Sequence, residues 1–80
     1  MDLHQYYVMH DGVGWRIQSD GENSEAFLSR QEAIRNAVAL AHLDDSCGRT
    51  ARVVAQAEED SIFRPEWDSS TDPYPPPSRN

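Results

Sequence analysis

Proline and glycine occupy different parts of this 80-residue sequence, and their separation limits where helices and strands can form. All five prolines lie from Pro65 onward, whereas all four glycines lie in the first 48 residues. Proline lacks the amide that helix interiors and central strands need, and clustered prolines favour extended chain, while glycines mark turns. We therefore predict one small domain, with an α+β body over residues 1–57 and an acidic, aromatic and Pro-rich tail over residues 58–80.

The body begins with a pattern typical of short antiparallel strands. Residues 6–9 and 15–18 contain side chains that suit strands, and residues 15–18 also alternate apolar and polar positions. An Asp-Gly pair at residues 11–12 and another at residues 20–21 each favour a tight turn. With a third predicted strand at residues 25–28, these signals predict an antiparallel meander.

A capping box predicts one helix after the meander. Ser29 suits the N-cap position, and the side chain of Glu32 can reach back to the backbone amide of Ser29. Apolar side chains then recur at helical spacing as one stripe, which consists of Ala33, Ile34, Ala37, Val38 and Ala41. The pattern ends in the polar run 44–48. We expect Asp44 and Asp45 to lie beyond the last turn, because acidic side chains oppose the helix dipole there.

The elements together predict a small α+β domain. Residues 50–57 read as a fourth strand, and residues 61–64 suggest a short fifth one. The expected architecture is an antiparallel β-β-β-α-β(-β) sheet with one helix packed on one face. The side chains expected to fill the space between helix and sheet are Trp15, Ile17, Phe27, Ile34, Val38 and Val53.

The charge of the chain restricts its partners. Fourteen acidic side chains oppose seven basic ones, all of them arginine, which gives a net charge of −7. Affinity for duplex DNA and for anionic membranes depends on neutralising phosphates, so we expect neither as a partner. The first residues show neither the basic nor the apolar region of a targeting segment, and we expect a cytoplasmic protein.

More than half of that charge lies in the tail, where six carboxylates and two arginines give −4, against −3 for the body. The tail also holds Phe63, Trp67 and Tyr74, although disordered segments are normally poor in aromatic residues. We therefore expect residues 61–67 to dock on the body and the chain from Asp72 to continue in a polyproline-like form. That end is either a ligand for an aromatic-lined groove or a stiff terminus.

Side chains that could carry chemistry show no recognisable spacing. The metal-ligating types of interest are His4, His10, His42, Asp44, Asp45 and Cys47. Zinc needs three or four converging ligands, and these positions do not form a known ligand pattern. Nucleophilic catalysis needs a cysteine or serine beside a positioned base, and no family signature indicates one. We therefore expect no metal, no cofactor and no enzymatic activity.

Two nucleic-acid alternatives stay open. The stretch from Trp15 to Ala33 faintly resembles phage-integrase arm-binding domains and plant domains of the same plan, which present a basic sheet face to DNA. Arg16 and Arg30 could serve that role, but nearby carboxylates would repel phosphate. One alternative is thus a weak nucleic-acid-binding domain. The other is an acidic mimic of nucleic acid, of the kind that acts against defence systems, suggested by the net charge.

A series of short motifs also has a familiar order. It comprises Tyr7-Val8, His10-Asp11-Gly12, Gly14-Trp15-Arg16-Ile17, Phe27-x-Ser29-x-x-Glu32-Ala33-Ile34, Phe63-Arg64-Pro65-Glu66-Trp67 and Asp72-Pro73-Tyr74-Pro75-Pro76. Over residues 6–76 this series resembles a small bacterial family known only as domain of unknown function 2188. The resemblance implies a compact α+β fold and no established activity. The sequence departs from the family at residues 59–61, where members tend to have a glycine-containing turn.

The function expected from the sequence is that of a non-enzymatic protein-interaction or accessory module. It would act through a sheet face or through the aromatic and Pro-rich tail. The candidate interaction residues are Trp67, Tyr74, Pro75 and Pro76. The expected partner is another protein or a second copy of this chain, as a homodimer.

Overall fold

The fold is seen in a computed structural model of the chain, which describes residues 3–19, 22–23, 26–58, 60, 62–72 and 74. The elements along this part of the chain are β1 (Leu3–His10), β2 (Trp15–Ser19), β3 (Glu22–Asn23), α1 (Arg30–Ser46), β4 (Thr50–Gln56) and β5 (Phe63–Asp68). One helix lies with a sheet, so the prediction of a small α+β domain is confirmed.

The sheet is mixed, with the strand order β3-β2-β1-β4-β5. Neighbouring strands are antiparallel except at the centre, where β1 and β4 run parallel from Leu3 opposite Thr50 to Val8 opposite Ala55. The prediction of an antiparallel sheet is therefore wrong for this central pair. Two hairpins and then α1 each reverse the chain, so β4 returns beside β1 in the direction of β1, as a helical crossover requires.

The turn between β1 and β2 is held by the Asp11 carboxylate. It accepts hydrogen bonds from the backbone amides of Val13 and Gly14, both at 3.0 Å. Gly14 then passes very close to another segment, because a Cβ atom on it would lie 2.7 Å from the carbonyl oxygen of Phe27. Only a glycine fits this approach without a shift of backbone.

Of the strand predicted at residues 25–28, residue 25 lies outside the described residues, and residues 26–28 contribute a single bridge at Phe27. Trp15 and Phe27 exchange two backbone hydrogen bonds, of 2.9 and 2.7 Å, and form an isolated bridge. The pairing with β2 is made earlier in the chain by β3, where Ser19 lies opposite Glu22. The Asp-Gly pair at residues 20–21 lies outside the described residues, directly between these two partners.

The helix begins where the capping box predicts. The Ser29 hydroxyl accepts a hydrogen bond from the Glu32 amide at 3.1 Å, and the Ser29 backbone is extended, as an N-cap requires. From there α1 presents its stripe of small side chains to the sheet. The buried members are Ala33, Ala37, Val38 and Ala41.

The helix ends later than the charge argument predicts. Asp44 and Asp45 lie within the last turn, and the cap is Cys47. The Gly48 amide donates to the Asp45 carbonyl at 3.0 Å, the Arg49 amide donates to the Asp44 carbonyl at 2.9 Å, and Gly48 has φ of +87°. These two bonds and the left-handed glycine form a Schellman cap. The expectation that both aspartates lie beyond the helix is wrong, because Asp44 gains side-chain bonds that offset the dipole.

The core lies between α1 and one face of the sheet. Its strand members are Tyr6, Val8, Trp15, Ile17, Ala51, Val53, Ala55 and Trp67, all below 9% exposed. Phe27 and Ile34 pack against this cluster and are partly buried. All six predicted core residues thus lie in or against the core. Among the described residues, no helix is long and apolar enough to cross a membrane.

Candidate functional site

The residues predicted to bind a partner differ in their exposure in the structure. Trp67 belongs to β5 and is 3% exposed, so its side chain is part of the core and is not presented to a partner. Tyr74 is 44% exposed. Pro75 and Pro76 lie outside the described residues. Burial of Trp67 removes it from the set of candidate contact residues and makes it a structural residue.

Tyr74 stacks on the helix. Its ring lies 3.9 Å from the His42 ring, centroid to centroid, with 6° between the ring planes. The same ring meets Trp67 edge-on at 6.3 Å. Tyr74 therefore contacts both His42 of α1 and Trp67 of β5.

The face of the sheet opposite α1 has a different composition from the rest of the chain. We call it the helix-free face. Its members are assigned by strand alternation and by cross-strand pairing, since paired residues share a face. They are Leu3, Gln5, Tyr7, Met9, Arg16, Gln18, Thr50, Arg52, Val54, Gln56, Phe63, Pro65 and Asp68. Among these side chains only Asp68 is acidic, in a chain with 14 acidic residues.

An apolar strip crosses the middle of the helix-free face. It consists of Tyr7, Met9, Val54, Phe63 and Pro65. The rings of Tyr7 and Phe63 meet edge-to-face at 5.8 Å across β4. Phe63 is 38% exposed and Pro65 is exposed, while the other three are half-buried. These side chains form a continuous contact surface that α1 does not cover.

Both arginines of the helix-free face are bound to aspartates of the same chain. Arg16 makes a hydrogen-bonded ion pair with Asp11 at the β1–β2 turn, and Arg52 Nε lies 3.1 Å from Asp68 Oδ2. The Arg16 guanidinium and the turn amides hold the pKa of Asp11 far below its usual range. The Ser70 hydroxyl and amide, with a smaller contribution from Arg52, lower the pKa of Asp68.

A polar cluster lies on the other side of the sheet, at the end of α1. His4 Nε2 is 2.5 Å from the Ser19 Oγ, and His4 Nδ1 is 2.8 Å from the Asp44 Oδ2. The Tyr6 hydroxyl donates to the same Asp44 oxygen at 2.5 Å. We call Ser19, His4, Asp44 and Tyr6 the polar cluster.

Sequence reasoning did not find the polar cluster. The sequence marks His4 and Asp44 as candidate metal ligands, marks Asp44 also by its place near the helix end, and gives no signal at Ser19. Among the described residues no three metal-ligating side chains converge. His4, Ser19 and Asp44 come from β1, β2 and the end of α1, and they meet only because β1 pairs with β2 while α1 runs over both. A usable signal was the position of His4 two residues before Tyr6 on the same strand face.

An open depression of about 650 Å³ lies at the N-terminal end of α1. Its lining includes Arg30 and Arg64, but both are engaged within the chain. Arg30 donates to the Gln56 carbonyl at 2.9 Å and to Glu66 at 3.2 Å, and Arg64 binds Asp60 at 2.7 Å. These partners neutralise the arginines, so the depression does not have the charge of an anion site.

Comparison with known proteins gives no relative. No protein-family model matches the chain, and no curated protein or solved structure shows significant similarity to it. The resemblance to the bacterial family of unknown function therefore stays a prediction.

Proposed function

We propose that this protein is an interaction module whose helix-free face binds the same face of a second copy. The observation that supports this most directly is the apolar strip, which lies in the middle of that face and which α1 does not cover. Phe63 and Pro65 are exposed there, and Tyr7 supports Phe63 from the neighbouring part of the sheet. Two such faces would form the inner layers of a sheet sandwich.

The distribution of charge favours a second copy as the occupant. The two arginines of the helix-free face and the two aspartates that bind them, Asp11 and Asp68, sum to zero, which leaves the whole −7 for the rest of the chain. Two molecules that approach by any other side bring carboxylates together. The helix-free face is where two copies meet with the least repulsion.

The dimensions of the molecule agree with this use. Its extents are 34 × 33 × 20 Å, those of a two-layer plate with broad faces. A stable protein–protein contact buries about 800 Å² on each partner, which a face of this size can supply. The glutamines of the face, Gln5, Gln18 and Gln56, would supply polar contacts around the apolar strip.

The acidic-mimic alternative receives less support from the same residues. A mimic needs an array of free carboxylates on one surface. Four of the described carboxylates are bound to arginines at separate places in the fold: Asp11, Asp60, Glu66 and Asp68. Asp44 is bound within the polar cluster on the other side.

A concentration series tests the proposal. Sedimentation equilibrium of the full chain should show a reversible monomer–dimer equilibrium. Phe63→Asp places a charge in the apolar strip and should weaken dimerisation by at least tenfold in Kd. Leu28→Asp is the matched control, because Leu28 is 95% exposed and is not on the helix-free face. A chain that stays monomeric at millimolar concentration, or equal effects of the two variants, would refute the proposal.

Salt distinguishes self-association from nucleic-acid binding. Dimerisation of a chain with net charge −7 should strengthen as salt screens the repulsion between copies. Binding of a labelled single strand by Arg16 and Arg52 would weaken with salt, because counterions are released on binding. A single-strand complex that weakens with salt and is lost on Phe63→Asp would replace self-association with the nucleic-acid alternative.

A further inference from the structure

The polar cluster has the connectivity of a nucleophile, a base and an orienting carboxylate. We propose that Ser19 is a reactive nucleophile, that His4 is its general base, and that Asp44 orients His4. The distances along the chain of contacts are 2.5 Å from Ser19 Oγ to His4 Nε2 and 2.8 Å from His4 Nδ1 to Asp44 Oδ2. Nucleophile, base and third group within hydrogen-bond reach are the geometric requirement for this chemistry.

The two contacts of the His4 ring favour one tautomer of neutral His4. The Asp44 carboxylate can only accept and lies 2.8 Å from Nδ1, so this contact favours the neutral tautomer with its proton on Nδ1. Nε2 then carries the lone pair and accepts the hydroxyl proton of Ser19. This is the state in which a histidine can take the proton of a serine as the serine attacks.

Asp44 is held in place by a second contact. The Tyr6 hydroxyl donates to Asp44 Oδ2 at 2.5 Å, and the Tyr6 side chain is 6% exposed and fixed in the core. The Tyr6 ring also lies 4.6 Å from the His4 ring at 31°. The base and its orienting carboxylate are therefore supported by one buried residue, which limits the motion of both.

The surroundings select the chemical class of the substrate. His4 and Asp44 are each 16% exposed, so the cluster is reached from solvent at the edge of the domain. Asp44 and Asp45 add negative charge on the side of α1. A small neutral acyl ester can approach Ser19 there, whereas an anionic ester is repelled.

The proposed reaction is the hydrolysis of such an ester in two steps. Ser19 Oγ bonds to the carbonyl carbon and its proton passes to His4 Nε2. The bond from that carbon to the leaving oxygen then breaks, and His4 gives the proton to the departing alcohol. Water oxygen then bonds to the acyl carbon and gives one proton to His4 Nε2. The bond from that carbon to Ser19 Oγ breaks, His4 returns the proton to Oγ, and the carboxylic acid is released.

Labelling of the full chain tests the nucleophile directly. A fluorophosphonate probe phosphonylates activated serines with loss of fluoride, and peptide mass spectrometry should place the adduct on Ser19. Ser19→Ala should lose the adduct. Ser46→Ala is the control and should be labelled like the native chain, because the Ser46 hydroxyl bonds only the His42 carbonyl in the described contacts. An unlabelled native chain, or an adduct on another residue, would overturn the proposal.

Hydrolysis of 4-nitrophenyl acetate gives the second measurement. Ser19→Ala and His4→Gln should each slow it by about 10²-fold or more, since a positioned base contributes at least that factor. The anionic succinate half-ester of 4-nitrophenol should react more slowly than the acetate. Rates within twofold of the native rate in both variants would show that the polar cluster is structural only.

The role of Asp44 as a positioning residue needs its own measurement. Asp44→Asn keeps the shape of the side chain but can donate to Nδ1, which favours the tautomer with its proton on Nε2. It should lower kcat by at least tenfold with KM within twofold, at an unchanged melting temperature. A loss of kcat that only follows a loss of fold would contradict this role. Leu28→Asp changes a 95% exposed residue outside both the polar cluster and the helix-free face, and it should leave hydrolysis unchanged. The polar cluster lies on the other side of the sheet from the helix-free face, so failure of the dimer proposal does not affect this one.

Discussion

Val53 of β4 lies opposite Trp67 of β5, and the register shifts directly after this pair, because Val54 lies opposite Pro65. Residues two apart on a regular strand share a face, so Pro65 and Trp67 would face the same way without the shift. Glu66 is the extra residue of this bulge. Pro65 therefore joins the helix-free face while Trp67 enters the core, and one irregularity divides β5 between two surfaces.

Replacing the core member of β5 should be costly. Trp67→Ala removes a 3% exposed indole and should lower the free energy of unfolding by about 3–5 kcal/mol, as large aromatic truncations in cores do. Chemical denaturation followed by circular dichroism measures the change. Phe63→Ala is the matched control on the same strand, and its effect should be below that of Trp67→Ala because Phe63 is 38% exposed. Equal losses in the two variants would contradict the placement of Trp67.

The close approach at the β1–β2 turn gives a second prediction. Gly14→Ala introduces a Cβ atom at 2.7 Å from the Phe27 carbonyl oxygen, so the backbone bridge between Trp15 and Phe27 has to shift. We expect a loss of about 1–3 kcal/mol, the usual range for overpacking. Val13→Ala, at an adjacent position that is 83% exposed, should change stability by less than about 0.5 kcal/mol. Thermal unfolding that is unchanged in Gly14→Ala would be inconsistent with this contact.

Local signals in the sequence predicted the helix well and the sheet less well. The Ser29 cap and the alanine stripe depend on residues within one or two turns, and both occur as predicted. The parallel pairing of β1 with β4 joins residues about 47 positions apart, so no local pattern contains it. The bulge at Glu66 depends on pairing with β4, so it too is absent from any local pattern. Without it the sequence does not decide whether Trp67 faces the core or a partner.

The third prediction concerns acid. Hydrogen bonds from Ser70, with help from Arg52, lower the pKa of Asp68 in the folded chain, while an aspartate of the unfolded chain titrates near about 3.9. Ionised Asp68 therefore contributes its full stabilisation at pH values above the unfolded-state pKa. This contribution is lost as pH falls from the unfolded-state pKa through the lower pKa of the folded chain. The stability of the native chain should fall below pH of about 4.

Asp68→Asn tests that contribution. The variant should be less stable than the native chain at pH 7, and the difference should shrink as pH falls below about 4 because the native carboxyl becomes protonated too. Urea denaturation at several pH values measures both. Asp45→Asn is the matched control for the change from carboxyl to amide, since Asp45 is exposed. A difference between Asp68→Asn and the native chain that stays constant down to pH 2 would contradict the assignment.

The polar cluster is formed by residues that lie far apart in the sequence, so no local motif predicts it. Ser19 is the last residue of β2, His4 lies near the start of β1, and Asp44 lies near the end of α1. No sequence motif marks any of these three positions. Their convergence depends on the register that places Tyr7 opposite Gln18 and on α1 crossing β1 and β2. The apolar strip was closer to prediction, because Phe63 and Tyr7 carry visible strand signals, but their shared face depends on the bulge in β5.

The stacked pair of His42 and Tyr74 gives the last prediction, because it tests whether residue 74 is bound to the helix in solution. Their rings are 3.9 Å apart and nearly parallel. A double-mutant cycle with His42→Ala and Tyr74→Ala should give a coupling free energy of about 0.5–1.5 kcal/mol in urea denaturation. The cycle of His42→Ala with Tyr7→Ala is the control, and it should be additive because Tyr7 lies on the helix-free face. Additive effects of His42→Ala and Tyr74→Ala would show that the stack does not hold this part of the chain against α1.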